Sequence, residues 1–212
     1  MAHTTEHLWL LAEVEDPSPW KNAGTDPKLA FKTGDAVELS LGSDRDARGM
    51  GHLSHVPKGE HAAPQPDRTM PGLGDIRVLI VSGGKGKALT AMAYRPVKPE
   101  AKPEETMKFE SPVKSHTFDS VTPISDVQVA VTETKTGYVI EVRLNCDRID
   151  LRDAASGLRL RGDIGVLWGN EAGLVTERRA YLFNHSPGAS IVSDTPSEAE
   201  LHPDKWGVMV FE

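Results

Sequence analysis

The chain has 212 residues, of which 31 are Asp or Glu and 24 are Lys or Arg, so its formal net charge is −7. This acidic balance argues against nucleic acid or an anionic membrane surface as a partner, because both require clustered basic side chains. The single cysteine, Cys146, excludes an intrachain disulfide, and no stretch approaches the roughly 20 apolar residues of a membrane span.

Strand patterns dominate the sequence. Alternating apolar and polar residues predict strands over 8–14 and 35–41. In the second of these, Val37, Leu39 and Leu41 share one face. Further strands are predicted over 75–81, 88–94, 126–132, 137–144, 158–168, 174–183 and 206–211. Short strands at this spacing predict an all-β fold, an antiparallel two-sheet β-sandwich of the jelly-roll or immunoglobulin-like kind.

The remaining segments are predicted to be connections. Residues 43–73 and 97–112 are rich in Pro, Gly or charge and predict long loops, whereas SGGKGK (82–87) suits a hairpin turn. Residues 146–156 are the best helix candidate, of one or two turns. We therefore expect one domain over residues 1–212, with an insertion at about 43–73 and little helix.

Three motifs occur in a characteristic order. They are an Asp-x-Val-Glu strand in TGDAVELSLG (33–42), an Ile-Arg-Val strand in GDIRVLI (74–80) and a Gly-Tyr-x-x-Glu strand in TGYVIEVRLN (136–145). The closing DKWGVMVF (204–211) follows them. Together these segments resemble family 9 carbohydrate-binding modules and the wider DOMON-like β-sandwiches.

The resemblance implies non-catalytic carbohydrate binding. In the family, two aromatic rings clamp the sugar while charged side chains hydrogen-bond its hydroxyls. It places Phe31 and Phe183 at the clamp, and Glu38 and Arg77 at the polar positions. Since Glu38 and Arg77 alternate with apolar neighbours, both are expected to point away from the core. The alternative is an ordinary cross-strand ion pair worth about 0.2–1 kcal/mol.

Three more residues are candidates for carbohydrate binding. Trp20 follows Pro19 in a loop, and Trp168 ends a strand just before Asn170. Packing is the alternative role for both tryptophans. Trp206, in the closing strand, is expected to pack.

Metal binding is considered for two sets of residues. Hard carboxylate oxygens suit structural Ca²⁺, which the resemblance also implies. The carboxylate candidates are Asp16, Asp35 and Asp194. Zn²⁺ or Cu²⁺ would instead be held by His52, His55 and His61, although loop histidines are usually only solvated.

Two other functions remain open. A glycoside hydrolase would need two suitably spaced carboxylates, for which Glu38 with Asp163, or with Glu141 or Glu177, are the candidates. A haem-binding DOMON-like domain would need facing axial ligands. Those candidates are His116, His185, Met92 and Met209.

The biological setting follows from the resemblance alone. It implies an accessory domain of a larger secreted protein, extracellular or periplasmic. The family's opening strand is absent, which would leave a sheet edge for another element or for a dimer partner.

Overall fold

The computed structural model describes residues 1–18, 20–42, 52–53, 70–81, 90–151, 154–190 and 193–211. The strands are β1 (Ala2–His3), β2 (His7–Glu15), β3 (Ala36–Gly42), β4 (His52–Leu53), β5 (Asp75–Val81), β6 (Thr90–Arg95), β7 (Met107–Glu110), β8 (Ser115–Phe118), β9 (Ser120–Ile124), β10 (Gln128–Glu133), β11 (Gly137–Asn145), β12 (Arg159–Gly169), β13 (Thr176–Tyr181) and β14 (Gly207–Val210). The helix α1 spans Thr195–Ala199, and 3-10 helices span Pro27–Lys32, Pro103–Glu105, Cys146–Ile149 and Pro203–Lys205. Within the described ranges, every helix is too short or too polar to cross a bilayer.

The strands form two antiparallel sheets and a separate hairpin. The smaller sheet has four strands in the order β1-β2-β11-β10. The larger has eight, in the order β13-β12-β3-β5-β6-β9, with β4 and β14 also paired to β12. β7 and β8 form the hairpin. The predicted all-β, antiparallel two-sheet sandwich is thus confirmed.

The main core lies between the two sheets. Val37, Leu39 and Leu41 face it, as their alternation predicts, and belong to the same apolar cluster as Leu10 of β2 and Ile140 of β11. Burial of a large aliphatic side chain contributes about 1.5–3 kcal/mol, so this alternation is enough to fix which face of β3 turns inward.

The larger sheet is also covered on its second face. A second apolar cluster there contains Phe31 of the first 3-10 helix, Phe109 and Phe118 of the hairpin, and Ala199 of α1. We call these covering segments the second layer.

The second layer corrects one expectation. The side chains of Glu38 and Arg77 do point away from the main core. They are nevertheless only 6% and 1% exposed to solvent, because the second layer covers them. The alternation of a strand specifies its two faces, but it does not reveal whether a second face is covered.

Five strands lie where no strand was predicted, namely β1, β4, β7, β8 and β9. The predicted loop 97–112 contains β7, whose alternation of Met107 and Phe109 with charged residues is too short to stand out. β8 and β9 were not predicted either, and β9 carries Pro123. Because β9 is an edge strand, the missing amide hydrogen of proline leaves the sheet intact.

The helical segments and loops complete the fold. The predicted turn after Cys146 is the 3-10 helix Cys146–Ile149, which ends at Asp150 with a left-handed φ of 57°. The helix α1, with Pro196 in its first turn, was predicted only as a connection. The predicted loop 43–73 lies outside the described residues except for 52–53 and 70–73, and the connection 82–87 lies outside them entirely.

The edge beside β2 is partly filled. β1 pairs Ala2 with Trp9 and His3 with Leu8, and contributes the strand neighbour that the resemblance left open. Dimerisation through a sheet edge stays a prediction.

Candidate functional site

A cleft of about 360 Å³ opens on the second face of the larger sheet, between the sheet and α1. Its floor comes from β3, β12 and β13, and its wall from α1 and the segment that follows it. The lining side chains that can hydrogen-bond or stack include Glu38, Ser40, Lys114, Asp163, Arg179, Tyr181, Asn184, Glu198, Glu200, His202, Lys205 and Trp206. It is the candidate functional site, and we call it the cleft.

Strand register places Tyr181 on the floor of the cleft. Glu38 pairs with Gly165, and Gly165 pairs with Tyr181, so the three residues lie in one row across the sheet. A Cβ at Gly165 would lie 2.6 Å from the nearest ring carbon of Tyr181. The glycine therefore allows the ring to rest on the strand. Burial, followed by the nearby Glu38 charge, raises the pKa of Tyr181 to about 12, so its hydroxyl stays protonated at neutral pH.

Beneath the cleft, Arg77 holds Glu38. Its Nη2 donates to Glu38 Oε2 at 2.6 Å, and its Nη1 donates to the carbonyl of Glu198 at 3.1 Å. The guanidinium also lies 5.0 Å from the ring centroid of Phe31. Arg77 therefore connects the carboxylate of the floor to the end of α1, which is the wall.

Glu198 anchors the wall to the sheet. Its Oε1 accepts from Lys32 Nζ and from the backbone amide of Ser193, both at 2.6 Å. Its Oε2 accepts from Arg179, which also donates to the carbonyl of Phe31 at 2.9 Å. One buried carboxylate thus joins α1, β13 and the first 3-10 helix.

Asp163 is the second carboxylate on the floor, and it organises the chain after β13. Its Oδ1 accepts from the amides of Ile164 and Phe183, and its Oδ2 accepts from the amide of Asn184, at 2.8–2.9 Å. Burial raises the pKa of Asp163, although these amides lower it. The carboxylate positions Phe183 and Asn184 beside the cleft.

The two predicted clamp rings are separated. Phe31 is fully buried among Tyr94 and Phe109 and presents no ring face to a ligand, which corrects its predicted role in a clamp. Its 3-10 helix is part of the second layer, so the ring packs inside that layer instead of protruding. Phe183 is 36% exposed and lies just outside the cleft, next to Asn184.

Trp20, Trp168 and Asn170 lie away from the cleft. Trp20 packs edge-on against Tyr138 in the main core, with ring centroids 4.7 Å apart. Trp168 also packs toward the main core, and its indole donates to the carbonyl of Glu15 at 3.0 Å. Asn170 accepts the amide of Leu174 in a turn. For both tryptophans, the packing alternative describes the structure.

The predicted calcium carboxylates do not form one site. Asp35 uses both oxygens on the amides of Lys21 and Gly169, at 2.7 and 2.6 Å. Asp16 lies near Asp35, whereas Asp194 lies at the start of α1, and each has one buried oxygen without a partner. Among the described residues, no group of three or more acidic, His or Cys side chains is arranged for a metal. Structural Ca²⁺ stays a prediction.

The histidine site predicted for Zn²⁺ or Cu²⁺ lies almost entirely outside the described residues. Only the backbone of His52 is described, paired with Leu160 of β12, and His55 and His61 lie outside the described residues. Two of the predicted haem ligands lie on opposite sides of the larger sheet, Met209 in the main core and Met92 in the second layer.

Asp35 yields a testable dependence on pH. Burial raises its pKa from 3.8 to about 6, so the folded state takes up this proton before the unfolded state does. Protonation of Asp35 therefore adds to the free energy of unfolding. This contribution is greatest below about pH 4, where it is near 3 kcal/mol, and it is lost as pH rises through about 6. Relative to Asp35→Asn, the wild-type free energy of unfolding should therefore increase from pH 7 to pH 4.5 in urea titrations. Parallel pH curves for the two proteins would contradict this expectation.

Sequence reasoning missed most of the polar residues of the cleft, among them Arg179, Tyr181 and Glu198. Trp206 was expected to pack, and it does so in the second layer, where it is 6% exposed. The alternation of Arg179 and Tyr181 in β13 places both on one face, and that was the available signal. Glu198 carries no local signal, because two of its three donors come from distant parts of the chain.

Comparison with known proteins shows a distant likeness. No family model and no curated protein matches the sequence. Two similar solved structures are a family 9 carbohydrate-binding module from Caldicellulosiruptor kristjanssonii in complex with glucose and with cellotriose. The glucose complex is 12% identical with a TM-score of 0.49, covering 98% of this chain and 72% of that chain. The cellotriose complex is 14% identical with a TM-score of 0.48, covering 98% and 70%.

Proposed function

We propose that the cleft binds a saccharide without cleaving it. The observation that carries the proposal is one concavity that combines the aromatic ring of Tyr181 with polar side chains already held in position. Sugar rings present apolar C–H faces that lie well on aromatic rings, and their hydroxyls need fixed donors and acceptors.

Glu38 is the proposed acceptor for a sugar hydroxyl. Its Oε2 is fixed by Arg77 at 2.6 Å, whereas from the described residues its Oε1 accepts only a longer bond, of 3.3 Å, from Ser40. A hydrogen bond to such a charged group contributes about 1.5–3 kcal/mol. Arg77 itself is buried and does not line the cleft, so we assign it the role of positioning Glu38 instead of contacting sugar.

The charges of the cleft favour a neutral ligand. Glu198 is paired with Lys32 and Arg179, and Glu200 is paired with Lys114. Within each pair the opposite charges neutralise one another, so the charged side chains act as oriented hydrogen-bonding groups. A neutral polyol matches this arrangement better than a phosphate or a uronic acid does.

The cleft also contains the carboxylate pair proposed for a glycoside hydrolase, Glu38 and Asp163. A hydrolase needs one carboxylic acid that is free to protonate the leaving group. Asp163 accepts three backbone amide hydrogen bonds, and Glu38 is bound to Arg77. Both carboxylates are engaged in holding the structure, which favours binding over hydrolysis.

Titration calorimetry tests the proposal. The panel consists of glucose, mannose, galactose and xylose with their β-1,4-linked di- and trisaccharides. We expect Glu38→Gln to weaken the best ligand by about 10–100-fold, because a charge-assisted hydrogen bond is lost. Glu141→Gln, an exposed glutamate on β11 in the smaller sheet, is the matched control and should leave affinity unchanged.

A second variant guards against loss of folding. Asn184→Ala changes a half-buried side chain of the cleft and should also weaken binding while leaving thermal unfolding unchanged. No binding to any sugar of the panel would reject the proposal. Release of a chromophore from aryl glycosides by the wild type, abolished in Glu38→Gln, would favour the hydrolase.

The wider setting is proposed on the resemblance alone. It supports a role as an accessory domain of a larger secreted protein that brings its partner domains to a polysaccharide, outside the cell or in the periplasm.

A further inference from the structure

A glycine lies between the carboxylate and the aromatic ring on the floor of the cleft. Gly165 of β12 pairs with Glu38 of β3 on one side and with Tyr181 of β13 on the other. Adjacent strands lie about 4.8 Å apart, so the backbones of Glu38 and Tyr181 are separated by about 10 Å. Because side chains stand roughly perpendicular to a sheet, any larger residue at position 165 would stand between the two groups.

The ring of Tyr181 fills the space above Gly165. A Cβ at this position would lie 2.6 Å from Cε1 and 2.8 Å from Cδ1 of the ring, and the next nearest atom, the carbonyl oxygen of Ala180, would be 3.5 Å away. The other ring atoms are therefore further off, so the ring stands with one edge on the glycine. It leans across β12 toward Glu38, whose charge is, after burial, the second cause that raises the pKa of Tyr181.

The glycine itself is out of reach of a ligand. Gly165 is buried and is absent from the residues that line the cleft, whereas Glu38 and Tyr181 both line it. Alanine at position 165 would collide only with the ring edge, since the carbonyl of Ala180 would stay at an ordinary contact distance. The ring can turn about its side-chain bonds, so this substitution should push the ring into the cleft and leave the sheet intact.

We propose that Gly165 is a positioning residue for saccharide recognition, because it lets the Tyr181 ring lean toward Glu38 until both groups contact the same sugar residue. The inference rests on the proposed function and adds a specific role for a residue that never touches the ligand. The alternative is a purely structural contact, in which the aromatic ring only covers the gap left by a strand glycine.

Calorimetry with the sugar of the panel that binds best measures the effect on affinity. Gly165→Ala should weaken binding by about 3–10-fold, which corresponds to one aromatic contact. Its Tm should stay within about 4 °C of the wild type, since alanine in place of glycine reduces the entropy of the unfolded chain and offsets the displacement of the ring. Gly188→Ala adds the same methyl group where nothing lies within 4 Å, and its affinity should stay within about twofold of the wild type.

A double-mutant cycle shows whether the glycine acts through the ring. Tyr181→Ala removes the ring and should itself weaken binding by about 3–10-fold. In this background Gly165→Ala has no ring to displace, so it should change the affinity by less than about twofold. A purely structural contact would instead change the Tm of the single variants and leave their affinities near that of the wild type.

A tyrosine titration provides a readout that needs no sugar. Burial and the charge of Glu38 raise the pKa of Tyr181 to about 12, and burial also raises the pKa values of Tyr94 and Tyr138. In Gly165→Ala the displaced ring is more exposed, so phenolate absorbance should show one tyrosine ionising closer to the ordinary pKa of about 10. Gly165→Ala combined with Tyr181→Phe should lack this early ionisation.

Three results would overturn the inference while leaving the proposed function standing. They are wild-type affinity in Gly165→Ala, an equal loss of affinity on adding Gly165→Ala to Tyr181→Ala, and a tyrosine titration that is unchanged in Gly165→Ala. Failure of the wild type to bind any sugar would reject the proposed function and, with it, a role of Gly165 in recognition.

Discussion

Replacing Arg77 with Met is expected to lower the free energy of unfolding by about 3–5 kcal/mol, because it leaves the buried Glu38 charge without its partner. The substitution also removes the donor to the carbonyls of Glu198 and Ala199 at the end of α1. Methionine keeps much of the contact with Phe31. The loss of stability therefore reflects the unpaired charge of Glu38 more than the smaller volume of the side chain. Urea unfolding followed by circular dichroism measures the change.

Two variants separate the buried charge from other effects. Adding Glu38→Gln to Arg77→Met removes the unpaired carboxylate and should recover part of the lost stability. Arg178→Met is the matched control, since Arg178 is exposed and lies 4.0 Å from the ring centroid of Trp168. We expect it to cost about 1 kcal/mol or less. Equal losses for Arg77→Met and Arg178→Met would contradict the assigned role of the buried pair.

Replacing Glu198 with Gln is expected to destabilise the protein by about 2–4 kcal/mol, since a neutral amide leaves buried charged donors without an acceptor. The glutamine oxygen can serve either Arg179 or Lys32, but its NH₂ group opposes the other. Because α1 is the wall of the cleft, saccharide affinity should fall as well. Thermal unfolding and calorimetry on the same sample measure both effects.

Glu200→Gln is the control for this experiment. Glu200 lies two residues further along the same wall and pairs with Lys114, but both side chains are partly exposed. Partly exposed ion pairs contribute about 0–1 kcal/mol, so this variant should remain close to the wild type in stability. If Glu200→Gln lowered the stability as much as Glu198→Gln does, any substitution in the wall would have the same effect and Glu198 would have no special role.

The strands of the sandwich were predictable because alternation is local. Val37, Leu39 and Leu41 in β3 face the main core as their spacing requires. β7 and β9 were not, since one is four residues long and the other contains Pro123. The helix α1 has five residues, too few for a periodic pattern to develop.

The candidate site was predictable only in part. Glu38 was proposed from the Asp-x-Val-Glu motif, and it does line the cleft. Phe31 occupies a position that looks equally suitable in the sequence, yet it is fully buried. Local pattern distinguishes the two faces of a strand, but it does not say which residues of a loop are later covered.

By itself, the amino-acid sequence determined the strand-rich architecture, the inward face of β3 and the placing of Glu38 and Arg77 on the face opposite the main core. Only the tertiary structure decided that the second layer covers this opposite face and that a cleft remains between the sheet and α1. The physical reason is distance along the chain: Arg77 donates to a carbonyl 121 residues away, and Lys32 reaches a carboxylate 166 residues away. Such contacts join segments that are far apart in the chain, and no short stretch of sequence encodes them.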